Sequence, residues 1–352
     1  MTTVGIIGAG GISNVHIAGW LQLGVDVVVH SQAGAPELVA RYGGQVAASL
    51  DDLLARCDVV DICTPTYTHR ALVEAAAAAG RDIVCEKPFA LTVEDTEAMI
   101  AACAAAGVGL YPAHVVRYFP EHAVVHDAVE RGTLGTLAVQ RYDRQGGMPV
   151  APWFLDEELS GGIIMDLMIH DIDFARWNAG PVTSLRAVRS VPDRSGTVAA
   201  QVVLTHASGS VSSIGGVWSA RPVAFRTRFE VAGTGGVLRY DSATNPTTWV
   251  NGAVVGADGY APKAAIGESP YLTELREFLT AFQGGPQPRV TAADGLQAVR
   301  LADAARRSLA LGEAVTVPAE LPAELPAELP ADAAPDQPAN QPADLPNLEE
   351  AR

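Results

Sequence analysis

One feature restricts this chain more than any other, and it comes almost at the start. A short apolar strand, Val4-Gly5-Ile6-Ile7, runs into Gly8-Ala9-Gly10-Gly11-Ile12-Ser13 and then into a helix-like stretch from Asn14 to Leu23. In a strand–glycine turn–helix unit the first glycine permits the tight turn. The second lets backbone N–H groups approach a pyrophosphate at the helix N-terminus. Gly8, Gly10, Gly11 and Ile12 are therefore candidate cofactor contacts. The third small position is Ser13, still compatible with close helix–strand packing. A merely structural glycine turn is the alternative, and the elements that follow weigh against it.

Those elements alternate. Strands are expected at Val25–Val29, Val59–Cys63, Asp82–Cys85 and Val108–Tyr111, with helices at Leu50–Ala55, from Thr68 to Ala79, and at Val93–Ala106 behind a Thr92 cap. Strands alternating with helices predict a doubly wound parallel sheet, an α/β fold whose ligands sit at the strand ends. The second strand ends in His30-Ser31-Gln32, where an NAD site usually offers Asp or Glu to the ribose. The missing acid tilts the expectation from NAD toward NADP, with Ser31 a cofactor contact, although no Arg or Lys follows before Arg41. That strand end contacting no ribose at all is the other reading. The third segment to note is Cys85-Glu86-Lys87-Pro88, which puts a lysine at a strand end. A lysine held there can be partly desolvated and useful for proton transfer. A solvated surface lysine is the plain alternative.

Beyond residue 120 the period changes. His126–Glu130 reads as helix, Thr136–Arg144 as a strand with one wet face, and Ser160–Asn178 as a helix entered through Gly161-Gly162. Alternating runs at Val182–Val191, Val198–His206, Val211–Trp218, Phe225–Val231 and Val237–Tyr240 predict an antiparallel sheet. Helices follow near Tyr271–Phe282 and Ala292–Leu311. From Pro318 the chain repeats Ala-Glu-Leu-Pro, which forbids a regular helix and predicts a disordered Pro/Ala/acidic tail over 318–352.

At 352 residues the chain has room for two domains. Its net charge of −16 argues against nucleic acid or an anionic membrane as partner, but eight acids and one base from Pro318 to Arg352 account for −7 of it. No apolar run reaches the roughly 18 residues of a membrane span. The start, Met1-Thr2-Thr3-Val4, lacks a basic n-region. Cys57, Cys63, Cys85 and Cys103 lack metal-ligand spacing and read as buried, reduced thiols. A cytoplasmic protein without a metal site is expected.

Together, the glycine turn, Glu86-Lys87-Pro88 and Gly161-Gly162-x3-Asp166-x3-His170-x2-Asp173 resemble the Gfo/Idh/MocA oxidoreductase family over residues 1 to about 317. That family includes inositol dehydrogenases and glucose–fructose oxidoreductase. The resemblance implies a Rossmann domain (1–120) followed by an α+β substrate-binding and oligomerisation domain (121–317) built on a large open, mostly antiparallel sheet. That sheet implies a homo-oligomer, a dimer or tetramer. Carried over, Lys87, Asp166 and His170 are the catalytic set and also contact substrate. The lysine touches the nicotinamide ribose as well as the substrate hydroxyl, Thr64 and Pro65 border the nicotinamide, and Lys87–Pro88 is cis.

Further candidates rest on less. His114 and Arg117, in a segment of altered spacing, are substrate contacts by resemblance, Trp153 could stack on a sugar, and Glu86 makes a structural or ribose contact. The implied activity is NAD(P)-dependent hydride transfer to or from a hydroxyl or ketone carbon of a sugar, cyclitol or related polyol. Bottom-up this is coherent. Asp166 and His170 are i, i+4 and share a face on a helix, where a carboxylate can orient an imidazole base, while the Lys87 cation stabilises an alkoxide. An ordinary i, i+4 pair is the bland alternative. A redox-assisted lyase or hydrolase that recycles its cofactor, and a non-catalytic nucleotide-binding sensor, are the competing readings.

Overall fold

The computed structural model describes residues 2–190, 196–244 and 268–319. The expected tail lies outside the described residues from position 320 onward.

The first part alternates strand and helix. It runs through β1 (Thr3–Ile7), α1 (Ser13–Gln22), β2 (Asp26–His30), α2 (Ala35–Tyr42), β3 (Gln45–Val46) and α3 (Leu50–Arg56). It continues with β4 (Val59–Ile62), α4 (His69–Ala78), β5 (Asp82–Glu86), α5 (Val93–Ala106) and β6 (Leu110–Ala113). All six strands are parallel, in the order β3-β2-β1-β4-β5-β6. The order reverses between β1 and β4, and ligands of such sheets sit beyond the strand ends at that point. Strands β4 and β5 are buried along almost their whole length, as expected of strands covered on both faces. The α5 ends follow the sequence signals. Thr92 Oγ1 accepts the Asp95 N–H at 3.1 Å, and Gly107 closes the helix at φ +68°. The short pair α2 and β3 is additional to the expected elements. Eight and two residues carry too little periodicity to read.

The second part comprises α6 (Pro120–Glu130), β7 (Leu137–Gly147), α7 (Glu157–Ser160), α8 (Ile169–Ala179), β8 (Val182–Arg189) and β9 (Val198–His206). After these come β10 (Val211–Ser219), β11 (Arg226–Gly233), β12 (Gly236–Asp241), α9 (Pro270–Phe282), α10 (Ala292–Leu311) and β13 (Val315–Thr316). Its seven strands lie in the order β12-β11-β7-β10-β9-β8-β13, with only β7 and β10 parallel. One face is covered by α8 and α10. The other is open and carries charged residues such as Arg141, Asp143 and Arg228. Helix α6 begins at Pro120, earlier than the expected His126, because proline at the first helical position needs no N–H partner.

The expected single helix over Ser160–Asn178 is not one helix. Helix α7 stops at Ser160, Gly161 and Gly162 both take left-handed conformations (φ +72° and +70°), and a wide π-type turn over Ile164–Met168 precedes α8. A Cβ on Gly161 would lie 2.5 Å from the Met165 Cβ, so the glycine lets the chain double back. Helix α9 also departs from a simple two-part chain. It returns to the first sheet, where Leu275 and Phe278 join Ile17, Trp20 and Val84 in one apolar cluster. The opposite face of that sheet merges with the core under the second sheet, from Ile83 and Met99 through Ile169 to Val202. No helix among the described residues is long and apolar enough to cross a membrane.

Candidate active site

The glycine turn is built as a cradle. Gly8 has φ +110°, and a Cβ there would lie 2.7 Å from the Cys63 carbonyl oxygen. Gly10 and Gly11 have nothing within 4 Å of where a side chain would start, so their backbone faces open space. Helix α1 starts with no side-chain cap and no acid in its first turn, which leaves its leading N–H groups for an anion. These features fit the pyrophosphate of a dinucleotide. At the neighbouring β2 end, His30 and Ser31 are half-buried. Arg41 reaches back to donate to Asn14 Oδ1 at 3.1 Å, and Asn14 in turn donates to the Gly10 and Gly11 carbonyls at 3.0 and 3.2 Å.

The ends of β4 and β5 are tied to each other. The buried His69 ring faces the Thr64 carbonyl with one nitrogen (2.9 Å) and the Pro88 and Phe89 carbonyls with the other (3.0 and 3.1 Å). Thr64 and Pro65 are thereby set beside the Lys87–Pro88 peptide, which is cis. Lys87 Nζ donates to the Asp166 Oδ1 at 3.1 Å and the Asp166 carbonyl at 2.9 Å, with both side chains largely buried. The wide turn after Gly161-Gly162 thus delivers a carboxylate to the lysine, 79 residues away in sequence.

His170 follows in the first turn of α8. Its Nδ1 is buried without a hydrogen-bond partner among the described residues. Burial lowers its pKa well below the usual histidine range, and the positive charge of Lys87 and Arg144 adds to the effect, so the ring is neutral at neutral pH. The Asp166 carboxylate pairs with Lys87, and the expected carboxylate–imidazole pair within one helix gives way to a lysine–carboxylate pair across elements. His114, at the end of β6, leaves both ring nitrogens without hydrogen bonds, its Nδ1 lying 3.7 Å from Asp173. Burial keeps it neutral too, the Asp173 charge opposing that shift.

Three further candidates are each held by protein partners. Arg117, expected at the substrate, is 1% exposed. Its guanidinium donates to both Asp173 oxygens (2.8 and 2.6 Å) and to the Arg289 carbonyl (2.9 Å), and lies 3.2 Å from Asp294. It clamps α8 and α10 together, with its charge taken up by two carboxylates. Trp153 is half-buried, packed on Phe154 (3.8 Å between ring centroids) and edge-on to Tyr67 (6.4 Å), on the side of the Thr64-Pro65 loop. Glu86 accepts the Lys87 N–H at 2.9 Å and faces His16 Nε2 at 3.1 Å, so its structural reading prevails over a ribose contact.

Four groups escaped the sequence reading. His16 and Asp61 form a buried pair at 2.8 Å, His69 ties the loops, and Arg144 bonds Asp171 through two contacts of 2.9 and 2.8 Å. Asp61 did carry a signal, a carboxylate inside the buried run Val59–Ile62. All four cysteines are buried and free. Two surface grooves lie away from Lys87, on the open face of the second sheet around Asp143, Arg226 and Arg228.

A doubly wound sheet with a glycine cradle at its switch point, and a lysine, a carboxylate and a neutral imidazole at the neighbouring strand end, define a nicotinamide-dependent oxidoreductase of CH–OH groups. The family profile for oxidoreductases with an NAD-binding Rossmann fold matches residues 2–114, and the profile of the matching C-terminal domain covers residues 122–239. The chain belongs to the Gfo/Idh/MocA family. It is 31% identical to a D-apiose dehydrogenase of Paraburkholderia graminis over 334 residues, 88% of each chain. It is 30% identical to an inositol 2-dehydrogenase of Rhizobium meliloti over 331 residues, 89% of this chain and 98% of that one. Levoglucosan dehydrogenase solved with NADH and levoglucosan superposes with a TM-score of 0.76 at 25% identity, covering 90% of this chain and 99% of that one.

Proposed function

We propose that the chain transfers a hydride between a nicotinamide dinucleotide and a ring hydroxyl or ketone of a sugar, cyclitol or related polyol. The observation that carries the reading is the meeting of Lys87, Asp166 and His170 beside the glycine cradle, with ring nitrogens on His170 and His114 left for a ligand. The bound cofactor would supply the hydride acceptor or donor. Gly8, Gly10, Gly11 and Ile12 hold its pyrophosphate, and Thr64 and Pro65 border its nicotinamide. In the oxidising direction the neutral His170 takes the hydroxyl proton as general base. Lys87, fixed by Asp166, places a positive charge where alkoxide character develops. His114 offers the substrate a further nitrogen, and Trp153 an aromatic wall.

At the adenosine end we favour NADP over NAD. His30 and Ser31 stand where an acid would repel a phosphate, and Arg41 is held near the glycine turn by Asn14. We keep domain limits of 1–120 and 121–317 as part of this reading, with α9 returning to pack on the first sheet. The open face of the second sheet, with Val188, Val203, Val211 and Val237 exposed among its charges, supports a homo-oligomer; a cytoplasmic location stays with this reading.

A panel of inositols, aldoses and ketoses, run with NAD and with NADP and read at the reduced nicotinamide band, tests the proposal. Turnover with net nicotinamide reduction supports it. Binding without turnover overturns it in favour of a sensor, and product formation without net reduction in favour of the cofactor-recycling lyase. Arg41→Ala should cost the NADP reaction about fivefold, the scale of one exposed charge contact, and leave the NAD reaction unchanged.

A further inference from the structure

We infer that His16 is a positioning residue, held as an imidazolium between Asp61 and Glu86, that couples the dinucleotide-binding helix α1 to the strand end bearing Lys87. The ring is fully buried, with Nδ1 2.8 Å from Asp61 Oδ2 and Nε2 3.1 Å from Glu86 Oε1. A neutral imidazole carries one N–H, and an ionised carboxylate only accepts. Both contacts are hydrogen bonds only if both nitrogens are protonated or one acid is.

Both acids are already supplied with other donors. Asp61 Oδ2 also accepts Trp20 Nε1 at 2.6 Å, its Oδ1 faces the Cys63 thiol at 3.5 Å, and Glu86 accepts the Lys87 N–H. This geometry leaves the ring as the place for the shared proton. Burial is the largest influence and opposes the charge, but Asp61 and Cys63 together, through charge and hydrogen bonding, hold the His16 pKa well above the usual value.

Every other group facing the ring is consistent with this. Burial pushes the Cys63 thiol up to about 12, so it keeps its proton. Glu274 of α9 is fully buried with no hydrogen bond to either oxygen among the described residues, and burial raises its pKa well above the usual range. Tyr271, 6.4 Å away between ring centroids, is also uncharged, its hydroxyl raised by burial. His16, Asp61 and Cys63 offer ligand atoms within 4.8 Å of one another, a spacing that a metal ion could use. Here both ring nitrogens already meet carboxylates, at 2.8 and 3.1 Å, and we place a proton among them.

The consequence is mechanical. His16 lies four residues beyond Ile12 on the helix that starts at the glycine cradle, while Glu86 grips the Lys87 backbone. Without the imidazolium, two buried carboxylates lose their shared cation and the β5 end is released. Misplacing a reacting group by about 1 Å costs up to roughly 100-fold in rate.

The inference takes Lys87 as catalytic from the proposed function, but its core is testable without turnover. In protein labelled with nitrogen-15 histidine, the His16 ring should show two protonated nitrogens unchanged from pH 6 to 8, its signals identified by their loss in His16→Gln. Glu86→Gln should bring the ring's titration down into the measurable range. His16→Gln should lower kcat by about 10- to 100-fold with KM for the polyol changed less. A singly protonated ring at pH 7, or His16→Gln turning over within twofold of the parent, overturns the inference. Should that variant fail to fold, the wild-type titration and Glu86→Gln decide. A polyol panel without turnover, beside a doubly protonated His16, would overturn the catalytic reading and leave the imidazolium standing.

Discussion

Two buried charge clusters sit a few residues apart in this chain, and they differ in how completely they are satisfied. Around Arg117 the guanidinium reaches two carboxylates and a carbonyl and lies under 5 Å from the Trp177 ring. Around Lys87 the lysine has Asp166, but among the described residues His170 Nδ1 has no hydrogen bond, nor has either nitrogen of His114, which lies between the clusters with Nδ1 3.7 Å from Asp173. Buried polar groups are normally paired, and an unpaired one calls for a reason. A filled cluster holds elements together; a partly filled one at a strand end is the one proposed here to take a ligand. The same residue types serve both purposes, and saturation separates them.

The sharpest way to break this contrast is to delete a member of the partly filled cluster. His170→Ala should lower kcat by about 10²- to 10⁴-fold, the usual worth of a general base, with nicotinamide affinity and melting temperature nearly unchanged. Lys87→Ala should fall in the same range or slightly below it. Steady-state kinetics beside cofactor titration measures both. Near-parental turnover in His170→Ala would remove the histidine from the chemistry and make its unpaired nitrogen a packing accident.

Arg117→Met tests the other side. It strands Asp173 and Asp294 without their cation, and breaking a buried pair costs about 3–5 kcal/mol. In a domain of this size that lowers the melting temperature by roughly 10 °C, while kcat of the folded fraction stays within a few-fold. Replacing Asp173 by Leu in the same protein should recover part of the loss. If Arg117→Met instead kept its melting temperature and lost turnover, the arginine would belong to the substrate set.

What the sequence disclosed follows the same division. The glycine turn, the Glu86-Lys87-Pro88 end and the two parallel-sheet halves were legible because each depends on residues within one turn or strand. The break at Gly161-Gly162 was visible as two glycines but not as a reversal, since the reversal brings Gly161 against Met165 and Gly162 against Glu157 only in the folded chain. The clamp made by Arg117 was not legible because its partners lie far off in sequence, Asp173 56 residues on and the Arg289 carbonyl 172. The saturation of a charge is a property of the folded chain. His16 was silent for the same reason. An isolated histidine on a helix has no sequence mark that distinguishes a surface ring from one clamped by two acids.

The smallest expected effect is a dependence on pH that only the satisfied cluster should show. Asp294 is mostly buried, which by itself would raise its pKa, yet Arg117 and the Thr291 N–H and hydroxyl hold it down to about 2. The folded pKa lies below the unfolded one, so the native state binds fewer protons and the contribution is complete above the unfolded value near 4. It fades as pH falls through the folded value. The two values imply about 2.5 kcal/mol, lost between roughly pH 4 and 2. Asp294→Asn keeps an acceptor for the Thr291 cap and removes the charge, so its melting temperature should fall below the parent's at pH 6 and converge with it near pH 2. Parallel curves over that range would mean that Asp294 acts through its cap alone, and the Arg117 cluster would then owe its strength to Asp173.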